Sequence, residues 1–204
     1  GGGIFCDLPS QIVFDSNDRC NIYQNSAWDG NDIYSDTIMH VVADTFSVLN
    51  PYWYHAMPFD SFTFDILHGY HEQAAADLYV SPGGDNRNSG LSPGDPVKTI
   101  HSAYSYILAD GLHPQTINLL EGTYSPSSNG EQFPVRVFNN VSLAGESDTS
   151  VILDAEGIYR VMDIIGNPAS HVSGITITGG SITGKHGGGI YCLNSDPVIE
   201  QVII

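Results

Sequence analysis

The side chains whose types and spacing suit chemistry are mostly acids. Asp154 and Glu156 stand two residues apart in LDAEG. Such a pair can divide acid and base roles at a glycosidic bond or hold calcium, and it serves equally well as turn residues at a corner. Asp163 in VMDIIG is an acid amid apolar neighbours. It reads as a weak catalytic candidate or as an outward-facing acid beside Arg160 or another polar neighbour. Asp85, Asn86 and Asn88 in GGDNRNSG offer oxygens at calcium-like spacing without the full EF-hand pattern, and calcium is the one cofactor the sequence points to. His68, His71 and Glu72 in HGYHE would suit zinc if the segment were helical, but no third ligand follows at metal spacing. Tyr52, Trp53 and Tyr54 in NPYWYHAMPF are large aromatics that either stack on sugar rings or pack beneath their own loop. There is no Ser-His-Asp order with a nucleophile elbow and no phosphate loop.

Charge narrows the partners. The chain has 23 acidic residues against 6 basic ones, a formal net charge of -17. Phosphate recognition needs clustered Lys and Arg, so nucleic acid is excluded. Anionic membrane surfaces are disfavoured, and no apolar run is long enough to span a bilayer. A neutral glycan tolerates such a surface. Three cysteines leave two readings open: a Cys6–Cys20 disulfide, or buried thiols packing as small apolar groups.

The elements that must position these groups are short. Apolar residues alternate in VSLAGE, SVILDA, RVMDIIG, HVSGITITGG and PVIEQVII, with Gly, Asn or Asp at the joints. Related phrases recur about every 25 to 35 residues, a repeat period rather than a set of hairpins, which predicts a solenoid of stacked parallel strands. GGGIFC, Gly1 to Cys6, returns as GGGIYC, Gly187 to Cys192, as one structural device used twice. One helix is expected from Asp95 to Asp110. Asp95 would be its N-cap and Pro96 its first-turn residue, with an apolar stripe through Ile100, Ala103, Tyr104, Ile107 and Leu108.

LYVSPGGDNRNSGLSPGDPVKTIHSAY, the helix, and then INLLEGTY resemble the opening segment of right-handed parallel β-helices of the pectate-lyase-like superfamily. They are closest to bacterial extracellular domains of unknown function, and GGGIYC is similar to repeats of surface β-helices. The resemblance implies an all-β fold, a right-handed parallel β-helix whose N-terminal α-helix caps the first coil, preceded by a small β-rich connector. Residues 1–73 would hold the last coils of a preceding β-helix plus that connector, and residues 74–204 the start of a new one. Lyases of the superfamily use acidic calcium ligands and a basic residue on one outer sheet face. Here the row Asn118, Ser142 and Thr176 is expected on that face and holds neither.

The expected function is therefore adhesion or glycan binding by a non-catalytic segment of a large secreted or cell-surface repeat protein, built of tandem modules, with extracellular polysaccharide or cell-surface glycan as its partner. A polysaccharide lyase or glycoside hydrolase is the alternative, and a purely architectural spacer is a third reading.

Overall fold

A computed structural model of the chain describes residues 2–8, 10–27, 30–108, 111–166, 170–184 and 186–204. Contacts divide it into two compact units, Gly1–Gln73 and Ala74–Ile204.

In the first unit, short strands alternate between two parallel sheets. β1 (Ile4–Cys6), β3 (Ile33–Ser35) and β5 (Ala56–Met57) form one; β2 (Cys20–Ile22), β4 (Met39–Phe46) and β6 (Phe62–Gly69) form the other. From β3 on, each strand lies parallel on the strand two places earlier, with one register shift between Cys20 and Asn21 where β2 meets β4, so every coil contributes to both sheets. One turn of chain separates His40 from its neighbour Thr63, 23 residues on. No strand here is long enough to stand alone; stacking is what satisfies its backbone. The interior is a column of Ile22, Ile33, Val41, Ala43, Phe46 and Ala56, with Cys6 among them.

The second unit coils around three faces. β7 (Leu78–Val80), β8 (Gln115–Leu119), β11 (Val141–Gly145), β14 (His171–Thr178) and β16 (Val198–Ile203) pair in parallel on the first face. β9 (Gly122–Tyr124) and β12 (Val151–Asp154) join the C-terminal part of β14 on the second. β10 (Val135–Val137), β13 (Met162–Ile165) and β15 (Ile190–Leu193) make the third. In-register aliphatics fill the inside, with Ile117, Leu143 and Val172 in one column and Leu153 on Ile177 in another, all close to fully buried. Each such side chain contributes about 1.5–3 kcal/mol on burial. Each unit is a run of β-solenoid coils, about seven turns in all.

The corner between the first two faces is built on glycine. β14 pairs with β11 up to Ser173 and with β12 from Thr176, and the bend between them is Gly174 at φ +65°. A Cβ there would lie 2.3 Å from the Gly145 carbonyl oxygen, and one on Gly145 would lie 2.1 Å from that of Gly174. Only two residues without side chains let the rungs touch at this bend.

The helix, α1 (Ile100–Tyr106), is shorter than the sequence pattern predicts. Its N-cap is Thr99, whose side chain accepts a hydrogen bond from the Ser102 N–H. Asp95 is not the cap. The backbone of Val97 is committed to a ladder, donating to the Tyr79 carbonyl and accepting from the Ser81 N–H, so helical dihedrals cannot start before it. The apolar stripe Ile100, Ala103 and Tyr104 is buried as its spacing requires, while Ile107 forms an isolated bridge with Ala74. Ala109 and Asp110, the predicted helix end, lie outside the described residues. All three cysteines are free, with Cys6 buried, Cys20 half-buried and Cys192 exposed.

Candidate functional site

The acids picked out from the sequence are not brought together. Asp163 alternates with the core residues Met162 and Ile164, so it stands on the outer side of its strand, between Arg136 and Tyr191 in the register. It is nevertheless only 2% exposed, because the Arg160 guanidinium closes over it at 2.6 Å. That guanidinium also donates to the carbonyls of Gly187 (2.6 Å) and His186 (2.5 Å) and lies 4.4 Å from the centre of the Tyr191 ring. Val161 and Met162 donate in turn to Gly188 and Gly189. The GGGIYC phrase is thus the next rung above Arg160, and Asp163 is the counter-ion of the arginine that holds it. At 2% exposure, Asp163 has no free face for a substrate.

Asp154 and Glu156 form a corner. One Asp154 carboxylate oxygen accepts the Glu156 N–H, fixing the turn, while Glu156 reaches back one coil to the hydroxyls of Ser125 and Ser127. Those hydroxyls hold the Glu156 carboxyl below its ordinary pKa, so it stays ionised and is poorly suited to donate a proton near neutrality.

The loop of Asp85, Asn86 and Asn88 spends its oxygens on itself. Asp85 accepts from the Arg87 backbone and guanidinium, which holds its carboxyl well below the usual range. The Asn86 side-chain oxygen accepts the N–H groups of Lys98 and Thr99, and Asn88 donates to the Pro96 carbonyl. Asp95 closes the same loop by accepting from Ser89. The Asp85 and Asn86 oxygens thus point to different partners rather than to one centre. HGYHE is not helical: His68 lies in β6, 3.6 Å from Asp44, and His71 follows the strand, half-buried with its pKa lowered by that burial. Among the described residues no group of three or more His, Cys, Asp and Glu is placed to hold a metal ion.

The expected outer row does not align. Asn118 is in register with Ala144, Ser142 with Thr116, and Thr176 with Ile152 on the next face. Alternation determines which face a residue takes but leaves the register free to shift by two, and it carried no sign of the bend at Gly174. The true row on the first face runs Tyr79, Asn118, Ala144, Ser173, Glu200. Beside it stands His171, whose Nε2 approaches the Glu200 carboxylate to 3.0 Å but off hydrogen-bond geometry. This face therefore holds an acid and a base, which sequence reasoning missed; the signal available was that HVSGITIT and VIEQVI are two repeat phrases, in which His171 and Glu200 take outer positions two residues apart in the register.

The aromatic loop is split in two. Tyr54 is 7% exposed and packs edge-on against His55, with Tyr52 stacked near it at 6.2 Å between ring centres. Trp53 turns the other way, 47% exposed and tilted beside Phe59 at 6.4 Å. Two further stacked pairs have exposed partners in the same unit, Tyr23 on Tyr70 and Phe5 on Tyr34, where each ring covers a face of its neighbour. A cavity of about 510 Å³ is lined by Asp15, Asp18, Asn21, Asn25 and Tyr23 beside core residues such as Ile22. Asp15, Asn21 and Asn25 already bond to Asn17 and Asp18, to Thr45 and to Asp32 respectively. Asp32 and Glu131 were also missed: burial pushes their carboxyls up to about 6 and about 7. No helix among the described residues is long and apolar enough to cross a membrane.

Residues 82–181 match the family described as "Protein of unknown function (DUF1565)". The matched stretch begins in the self-bonded loop, takes in α1, and ends two residues beyond Gly179. Together with the stacked parallel strands it fits a parallel β-helix. No match appears among curated proteins or among solved structures.

Proposed function

We propose that the chain is a non-catalytic, glycan-binding part of a secreted or cell-surface β-solenoid protein, with Trp53 as a platform on which a neutral sugar ring stacks. The observation that carries this is the exposure of Trp53 in a loop whose other aromatics are packed. A half-exposed indole offers a flat apolar face on which a sugar ring can stack. The net charge of -17 turns away uronates and phosphates but not neutral sugars. The three catalytic candidates all serve the fold, which favours binding over turnover. In this reading the coil is right-handed and of the pectate-lyase-like kind, α1 covers the first coil's strand edge, and GGGIYC-type rungs repeat through a tandem array.

A second reading, polysaccharide lyase or glycoside hydrolase, is favoured by one observation, the His171–Glu200 pair on the outer row. An array of neutral and uronate-containing oligosaccharides, read beside a reducing-end and unsaturated-product assay, separates the two. Binding to neutral glycans without product supports the first. Product formation that disappears in His171→Ala establishes the second, and a blank array with no product removes both.

A further inference from the structure

Glu131 is an acid in an unusual place. It lies in the segment between β9 and β10, 2% exposed, and reaches back 31 residues to the start of α1. One carboxylate oxygen accepts the Ile100 N–H at 2.7 Å; the other accepts the N–H groups of His101 at 3.1 Å and Gln132 at 3.3 Å. These are the first N–H groups of the helix, which have no partner inside it, and Thr99 takes only the next one, Ser102. Glu131 therefore ties α1 to the first coil through the helix's own unsatisfied donors.

The groups around this carboxyl bring no positive charge. Asn129 sends its amide to the Lys98 carbonyl and lies beside Glu131. Tyr124 spends its hydroxyl on the carbonyls of Val80 and Leu120. The buried imidazole of His101 is pushed down to about 4 and so is neutral at ordinary pH. Among the described residues no Lys or Arg side chain bonds to Glu131. A carboxylate out of water without a cation costs free energy that neutral donors only partly offset.

We propose that the attachment of α1 to the first coil is proton-linked through Glu131, firmest with the carboxyl protonated and looser as it ionises. Burial raises the folded carboxyl to about 7, against 4.5 for an ordinary Glu. The sign follows: a carboxyl raised on folding binds more protons in the folded state, so its contribution is complete below about 4.5 and is lost as pH rises through about 7. His101 works in the opposite sense, losing its contribution as pH falls from 6.5 through about 4. The clean window is therefore pH 6.5 to 8, where only Glu131 of the two titrates.

The test compares urea unfolding of the full chain with Glu131→Gln, which keeps an acceptor but cannot charge. Between pH 4.5 and 8 the unfolding constant of the wild type should rise relative to the variant by about a hundredfold, about fourfold of it above pH 6.5. Parallel curves would overturn the proposal. Should Glu131→Gln fail to fold, carbon-detected NMR titration of the wild-type Glu131 carboxyl decides instead. A midpoint near 7, with amide exchange at Ile100 and His101 accelerating beyond the intrinsic pH dependence, supports it; a midpoint at 4 to 5 sinks it.

Discussion

Two Arg–Asp pairs in the second unit make the same contact in opposite surroundings. Arg87 meets Asp85 at 2.5 Å with its side chain 89% exposed; Arg160 meets Asp163 at 2.6 Å with both side chains almost fully buried. In the first, water competes for both ions and the pair only shapes a loop that Asn86 and Asp95 already close. In the second, the arginine also holds two carbonyls of the GGG rung, so its loss strands an acid and two acceptors away from water. Separation does not rank these pairs. What else each ion touches does.

The largest expected effect is at the buried pair. Arg160→Met should cost about 3–5 kcal/mol in urea unfolding, because Asp163 remains buried without its cation. Adding Asp163→Leu should restore much of that loss, and a single variant as stable as the wild type would break the comparison. Next comes the corner that lets the faces meet: Gly174→Ala should cost about 1–3 kcal/mol, since its backbone sits at positive φ and its Cβ would collide with the Gly145 carbonyl. The smallest effect belongs to the exposed pair. Arg87→Ala should leave the thermal midpoint unchanged within error in both low and high salt, and a clear drop would show that the loop depends on its ion pair after all.

The sequence made the coil legible because its inner face repeats a physical demand. Each rung must place Val, Ile or Leu over the one below, as Ile117, Leu143 and Val172 do. Each GGGI phrase leads into a strand that lies parallel on its neighbour, Ile4 beside Ile33 and Ile190 beside Met162, as every paired strand here does. The helix was legible in its stripe but not in its start, since nothing local announces that Val97 belongs to a ladder with Tyr79. The outer face was the least readable part. Asp163 alternates like a solvent-facing residue, yet a side chain three residues before it closes the water out. His171 and Glu200 meet because two coils are superposed; the repeat period brings them near each other, but it does not fix the register that makes them neighbours. Glu131 was invisible for the same reason, as its partners are backbone groups one coil away.

The proposed role of Trp53, an exposed indole on an otherwise packed aromatic loop, is to hold a neutral sugar. Equilibrium binding of wild type and Trp53→Ala to neutral oligosaccharides tests it most directly, with circular dichroism confirming that both are folded. The expected result is measurable affinity in the wild type and a loss of about tenfold or more in the variant, with Tyr54→Phe unchanged because that ring is buried. Equal affinity in the wild type and Trp53→Ala, or no affinity in either, would contradict the claim.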